Sequence, residues 1–435
     1  MISLPFTKDK TYYVVGLGRS GQATVRSLQE SGAEVLVWDD NEQSVMTFDN
    51  QMVCAPEKAP WSRIETVVMA PGIPPSHDIA RIAVKEGVPV IGDIDLYARR
   101  NPEEKIIGVT GTNGKSTTTA LIHHILDYEG KAQMGGNIGI PVLALEESAE
   151  YTILELSSYQ LERTFHLACD VAILLNIAPD HLDWHGSQEN YAKAKASLFD
   201  RARAKGTAII LTGDRDSRTI FEKLSGDAQW HVIDPEATGK EPFNQGDFPR
   251  LKGVHNRQNM LAAYYACRAL GVDHGLIIDR MKSFEGLAHR QFLVRVINGV
   301  PYINDSKATN ADATKMALRS FRNIVWIAGG RPKEGGLSSL DGELSEIRKA
   351  YVIGEAQEDF ARWLAIRGVG VELCNTLDVA VSRAHNYAQS QRGCPMGVPT
   401  VLFSPACASF DHYNNFEERG DDFVTLVNML GEDHD

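Results

Sequence analysis

The run GVTGTNGKSTTT, residues 108–119, constrains this chain more than any other stretch. It follows the apolar run IIGVTG and leads into ALIHHIL, so it joins a strand to a helix. Gly111 and Gly114 let successive backbone N–H groups turn toward phosphate oxygens. Lys115 is set to meet terminal phosphates, and the Ser116 hydroxyl suits a divalent cation. The strict G-x-x-x-x-G-K-[ST] spacing fails by one place, because its first glycine would fall at Val109. A variant phosphate loop for a nucleoside triphosphate is expected, against the alternative of a glycine-rich turn with an incidental lysine.

Short β-branched runs alternate with helical stretches along the chain, the pattern of parallel sheets covered by helices. The strands YYVVG, EVLVWD, TVVMAPG and PVIGD come first. IIGVTG, YTILELS, VAILLNI and TAIILTG follow, then VPYINDS, NIVWIAGG, KAYVIGE and TVLFSPA. The polar break RRNPEEK separates the first two sets, and EGLAHRQF at 285–292 marks a hinge before the third. The expectation is an α/β chain of three domains, each with a mainly parallel sheet: 1–95 Rossmann-like, 96–288 phosphate-loop ATPase-like, and 289–435 Rossmann-like. A length of 435 residues at roughly 150 per domain agrees.

A second glycine loop, VVGLGRSG at 14–21, places Gly16, Gly18 and Gly21 in G-x-G-x-x-G order between an apolar run and a helix-compatible one. The next apolar run ends in Asp39 and Asp40, about 20 residues on, where a dinucleotide site holds its ribose carboxylate. The pattern admits a nicotinamide or flavin site, another nucleotide, or a structural turn.

A net charge of −13 argues against nucleic acid or an anionic membrane surface as the main partner, while leaving room for a local basic pocket. Six scattered cysteines without C-x-x-C spacing fit reduced thiols, and no zinc site is visible. No uninterrupted run of about 20 apolar residues occurs, and MISLPFTKDKTYY carries no apolar leader, so a cytoplasmic protein is expected.

Ligands gather beyond the carboxyl ends of strands in such sheets, which directs attention to the residues there. Glu155 in ILELSSYQLE, and Asp180 with His181 after VAILLNIAP, stand at such ends. Each alone reads as a capping or structural residue, and together they read as a metal site. In ENYAKAKASLFD, Lys195 shares its helical stripe with Tyr191, Leu198 and Phe199, whereas Lys193 does not. Either Lys195 buries its stem and exposes its amine, or it is a desolvated amine able to take up carbon dioxide as a carbamate.

TGTNGKST, GGNIG, ELSSYQLE, NIAPDHLDWH, GVHNRQN, AHR, NDSKATN and SPACASFD occur in that order. Together they resemble the Mur ligase family over essentially the whole chain. ELSSYQLE and NDSKATN look particular to the D-glutamate-adding member, whereas the phosphate loop and AHR are shared more widely.

The resemblance implies a first domain for a UDP-sugar substrate, a central ATPase domain and a last domain that brings in the amino acid. It implies that Gly18, Arg19, Ser20, Asp39, Gly72 and Asn137 serve the UDP-substrate. ATP falls to Gly111, Thr112, Asn113, Gly114, Lys115, Ser116, Thr117, Asn256, Asn259, Arg290 and Asp305. Two Mg²⁺ ions would be held, one by Ser116 and Glu155, the other by His181 and a carbamate on Lys195. Lys307, Thr309, Lys333, Ser409 and Phe416 would receive D-glutamate or close over it.

Lys115, His181, Lys195 and Arg290 are the expected catalytic set. The implied reaction joins D-glutamate to UDP-N-acetylmuramoyl-L-alanine through an acyl phosphate, in a monomer without nucleic-acid or membrane partners. In GGRPKEGG, Glu334 stands where the family often has glycine after the lysine, a departure that bears on the surroundings of Lys333. The rivals are another amino-acid ligase of the superfamily, a nicotinamide-dependent oxidoreductase, and a nucleotide-sensing protein without turnover.

Overall fold

The computed structural model describes residues 1–100, 102–223, 229–234, 242–248, 250–251, 253–332, 336–395 and 397–431, with residue 204 described for its backbone alone. Its strands are β1 Thr11–Val15, β2 Glu34–Trp38, β3 Ile64–Met69, β4 Val90–Ile91, β5 Lys105–Thr110, β6 Ala132–Gly136, β7 Tyr151–Glu155 and β8 Cys169–Leu174. The rest are β9 Ala202–Leu211, β10 Gln229–Ile233, β11 Phe292–Ile297, β12 Val300–Asn304, β13 Ile324–Gly329, β14 Ile347–Ile353, β15 Val371–Asn375 and β16 Thr400–Phe403. The chain divides into two compact units, Met1–Phe284 and Glu285–Asp435.

The first unit holds two sheets, ordered β2-β1-β3-β4 and β10-β9-β8-β5-β7-β6, with every pairing parallel. Alternate residues of β1 point to opposite faces, as the strand period of two requires. Tyr12 and Val14 join one apolar cluster, Tyr13 and Val15 another. The first cluster continues through Leu96 and Tyr97 into Leu154, Leu174 and Leu198, so both sheets of this unit share a core. The phosphate-loop strand β5 lies inside the six-stranded sheet between β8 and β7, and residues 106–110 are buried.

The second unit holds one sheet, β11-β12-β16-β13-β14-β15, in which only the β11–β12 pairing is antiparallel. In β13, Val325 and Ile327 enter one cluster while Ile324, Trp326 and Ala328 enter the other, so both faces are covered. The mainly parallel α/β fold expected from the sequence is present. Among the described residues no helix is long and apolar enough to cross a membrane.

Candidate active site

At the end of β5 the chain turns through Gly111 at φ +151° and Gly114 at φ +85°, then enters the helix Lys115–Leu126, which no side chain caps. Only glycine suits Gly114: its φ is left-handed, and a Cβ there would lie 2.3 Å from Asn259 Oδ1. The helix N-terminus supplies orphan N–H groups and a favourable dipole for phosphate.

The loop's own amides have a different task. Thr112 N donates to Asn176 O (2.9 Å) and Asn113 N to Asn176 Oδ1 (2.9 Å), while Asn176 Nδ2 donates back to Asn113 O (3.0 Å). The Thr112 hydroxyl accepts from Ala178 N at 3.0 Å and lies 3.0 Å from the Tyr191 hydroxyl. Those amides shape the loop, and the residue that pins it, Asn176, went unremarked although it follows the strand VAILL directly.

Two amines converge on one carbonyl. Lys115 Nζ donates to Gly111 O (2.9 Å) and Thr112 O (2.8 Å), and Lys195 Nζ donates to Gly111 O (2.8 Å). Lys195 is 2% exposed, with its amine 4.7 Å from the Tyr191 ring centroid, so it does not carry its charge to solvent. Burial, and then the neighbouring Lys115 cation, hold this amine well below the usual lysine range, against the pull of Asp180 and Glu155. Of the two readings of Lys195, the desolvated amine is the one observed.

Glu155, ending β7, is buried. Its Oε1 accepts from Asn137 Nδ2 at 2.8 Å, and its Oε2 has no hydrogen-bond partner. An orphaned buried carboxylate oxygen is costly, and it suits a divalent cation. Asn137, expected at the UDP-substrate, thus holds this carboxylate. His181 takes a left-handed φ of +52°, packs on Tyr159 with ring centroids 4.9 Å apart, and has Asp180 Oδ2 3.4 Å from its Nε2. Burial lowers the His181 pKa, Asp180 opposes that shift, and Lys195 reinforces it. Among the described residues no three His, Cys, Asp or Glu side chains form a metal cluster by themselves. Asn256 and Asn259 lie on the helix Val254–Ala269, where Asn259 Oδ1 accepts from the Thr118 hydroxyl at 3.3 Å.

In the first sheet, Gly21 permits close packing, since a Cβ there would lie 1.8 Å from Gly16 O. Asp39 accepts from Leu17 N (2.6 Å) and Asn41 N (2.8 Å), so its carboxylate braces the glycine loop. The Ser20 hydroxyl donates to Asp93 Oδ2 at 2.5 Å. Burial raises the Asp93 pKa, and the Ser20 bond opposes that. Gly18, Arg19 and Gly72 are exposed.

The second unit gathers its own motifs. Asp305 is buried and accepts from Gln291 N (3.1 Å) and the Ser404 hydroxyl (2.7 Å). Burial pushes its carboxyl up to about 7, while Ser404, Gln291 and Arg290 pull it down. Lys307 Nζ lies 5.5 Å from the Phe416 ring centroid, Thr309 N donates to Lys307 O at 2.9 Å, and Ser409 is buried. Arg419, unremarked in the sequence, is 1% exposed. It donates to Ser306 Oγ and Ser306 O (3.1 and 2.9 Å), Cys407 O (3.1 Å) and Ala408 O (3.1 Å), which ties NDSKATN to SPACASFD. Lys333 lies outside the described residues.

Parallel sheets with a glycine loop at one strand end and a lysine-bearing phosphate loop at another define an α/β phosphate-loop protein with a second glycine-loop domain. Residues 10–92 match the Mur ligase MurD-like, N-terminal domain, and residues 109–267 match the Mur ligase middle domain. The chain is 41% identical to the UDP-N-acetylmuramoylalanine–D-glutamate ligase of Zymomonas mobilis over 99% of this chain and 100% of the relative. It belongs to the Mur ligase family. Solved structures agree in fold. MurF from Acinetobacter baumannii superposes with TM-score 0.60 at 18% identity, covering 98% of this chain and 93% of that one. MurF from Thermotoga maritima, solved in complex with ADP, gives 0.57 at 17% identity, covering 98% and 96%.

Proposed function

We propose that this chain is an ATP-dependent ligase that adds D-glutamate to UDP-N-acetylmuramoyl-L-alanine in peptidoglycan precursor synthesis. The observation that carries the chemistry is the convergence of Lys115 and Lys195 on Gly111 O, directly after strand β5, which pairs with the strand that ends in Glu155 and its orphaned Oε2. The full-length relative supports the choice of substrates. A carboxylate is a poor electrophile. The acceptor carboxylate therefore attacks the γ-phosphorus of ATP, releasing ADP and leaving an acyl phosphate. The D-glutamate amine then attacks the acyl carbon, phosphate departs, and the amine proton is lost.

Lys115, at the loop's helix N-terminus, stabilises charge on the transferring phosphoryl group, and Arg290 is the second cation assigned to ATP. Ser116 and Glu155 would hold one Mg²⁺, and His181 with a carbamate on Lys195 another. Such ions would supply neutralisation of the phosphate charge. The neutral Lys195 amine that burial favours is the form able to add carbon dioxide, losing a proton as the N–C bond forms. His181, held toward its neutral form by burial, is a candidate base for the amine proton, in a role that excludes metal ligation through the same nitrogen. Gly18, Arg19 and Gly72 would meet the UDP moiety, and Lys307, Thr309, Lys333, Ser409 and Phe416 the D-glutamate. A cytoplasmic monomer fits this role.

Phosphate release from ATP should require both UDP-N-acetylmuramoyl-L-alanine and D-glutamate. Equal release with L-glutamate, or hydride transfer to NAD, would overturn the reading.

A further inference from the structure

Arg163 caps the C-terminal end of the short helix Ser158–Glu162, which begins three residues after the Glu155 strand end. The residue is 7% exposed, and burial lowers the pKa of its guanidinium to about 10. Nη1 donates to Ala70 O at 3.0 Å and Nη2 to Ile73 O at 2.5 Å, so one fork spans both ends of the turn that contains Gly72. That turn is closed by Ile73 N donating to Ala70 O at 3.1 Å and anchored by Ala70 N donating to Val15 O at 2.8 Å.

The turn presses on the first glycine loop. Gly16 sits at φ +89°, and a Cβ there would lie 2.6 Å from Ala70 Cβ and 2.8 Å from Ile73 Cδ1. The backbone around Arg163 is fixed as well. Gly92 N donates to Arg163 O at 3.0 Å, and the buried Asp95 carboxylate accepts from Phe165 N and His166 N at 2.5 and 2.8 Å. A continuous set of contacts thus runs from the Glu155 strand end, through Arg163 and the Ala70–Ile73 turn, to Gly16.

A buried guanidinium is costly where an apolar side chain would fill the same space, and both its terminal nitrogens serve this one turn. We infer that Arg163 is a positioning residue for the acceptor substrate: it sets the Ala70–Ile73 turn, and with it the first glycine loop, relative to the strand end that carries Glu155. The inference rests on the reading of these two loops as the UDP-sugar site. An acceptor held at its diphosphate end by one sheet and at its reacting carboxylate by the next needs that separation fixed before reaction, because misplacement forfeits the gain from orientation.

The test compares Arg163→Gln and Arg163→Lys with the unaltered full-length protein in steady-state kinetics and in direct binding of UDP. The Gln variant should raise KM for UDP-N-acetylmuramoyl-L-alanine about tenfold, leave KM for ATP and D-glutamate within about twofold, and weaken UDP binding in proportion. The Lys variant should fall between, because its amine reaches one carbonyl at a time. Equal changes in all three KM values, or unchanged UDP binding in both variants, would overturn the role. If the Gln variant does not fold, the Lys variant carries the same comparison. If the unaltered protein binds UDP but does not turn over, the functional reading fails and the UDP comparison still decides the role of Arg163.

Discussion

Lys195 shows what a residue type gains from its surroundings. Sequence places it on an apolar stripe but leaves open whether the amine reaches water, because a four-carbon stem allows both. Only packing against Tyr191 and Gly111 decides that. Lys195→Ala should cut turnover at least about 100-fold, with partial recovery on adding short carboxylic acids if a carbamate bridges a metal. Activity like that of the unaltered protein would refute the role. Gly114→Ala combines a left-handed φ with a clash on Asn259, so ADP affinity should fall about tenfold or more, read by calorimetry. Asp305 adds a pH signature. Its folded pKa of about 7 exceeds the usual carboxylate value, so the folded state holds a proton that the unfolded state releases. Its contribution is most favourable below about pH 4, declines as pH rises toward 7, and stays lost above that. Asp305→Asn should therefore flatten the fall in melting temperature between pH 4 and 7, and weaken nucleotide binding if Asp305 contacts ATP. An unchanged pH slope would count against a protonated Asp305.

At the scale of elements, the strands rich in β-branched residues were legible and the weaker ones were not. Each of the twelve strands expected from apolar runs overlaps an observed strand. β6, β10, β11 and β15 were missed. β6 is AQMGG, whose glycines carry no strand signal, yet Gly135 allows close approach, since a Cβ there would sit 2.6 Å from Ile140 O. β10, β11 and β15 are sheet edges with half-exposed residues, where burial no longer imposes an apolar pattern. The site was legible to the same extent. Glycines, Lys115 and Glu155 announce themselves at strand ends, whereas Asn176, Arg163 and Arg419 act on backbone carbonyls or amides far away in sequence and leave no local pattern. Arg419 carries the clearest consequence. Arg419→Met would leave the carbonyls of Ser306, Cys407 and Ala408 without this donor, at a cost of about 3 kcal/mol. Denaturant unfolding of the second unit should shift by that amount, and a shift near zero would mean that solvent replaces the guanidinium.

At the scale of the whole molecule, among the described residues one pair of apolar clusters lies within Met1–Phe284 and spans both of its sheets, and another pair lies within Glu285–Asp435 and covers both faces of its sheet. A chain built this way need not unfold in one step, because cooperativity follows the continuity of a core. The phosphate loop lies wholly in the first unit, as does the Asn176 pair that shapes it. A ligand that binds only the folded form of one unit stabilises that unit by mass action, about 2.7 kcal/mol at a hundred times its Kd. ADP with Mg²⁺ should therefore move the unfolding transition of the first unit, followed by near-ultraviolet circular dichroism, further than that of the second. Trp326 and Trp363 lie in the second unit and Trp38, Trp61, Trp184 and Trp230 in the first, so single-tryptophan variants can assign each transition. D-glutamate, expected at Lys307 and Ser409, should act on the second transition instead. Coincident transitions that ADP moves together would overturn the expectation that the units unfold separately.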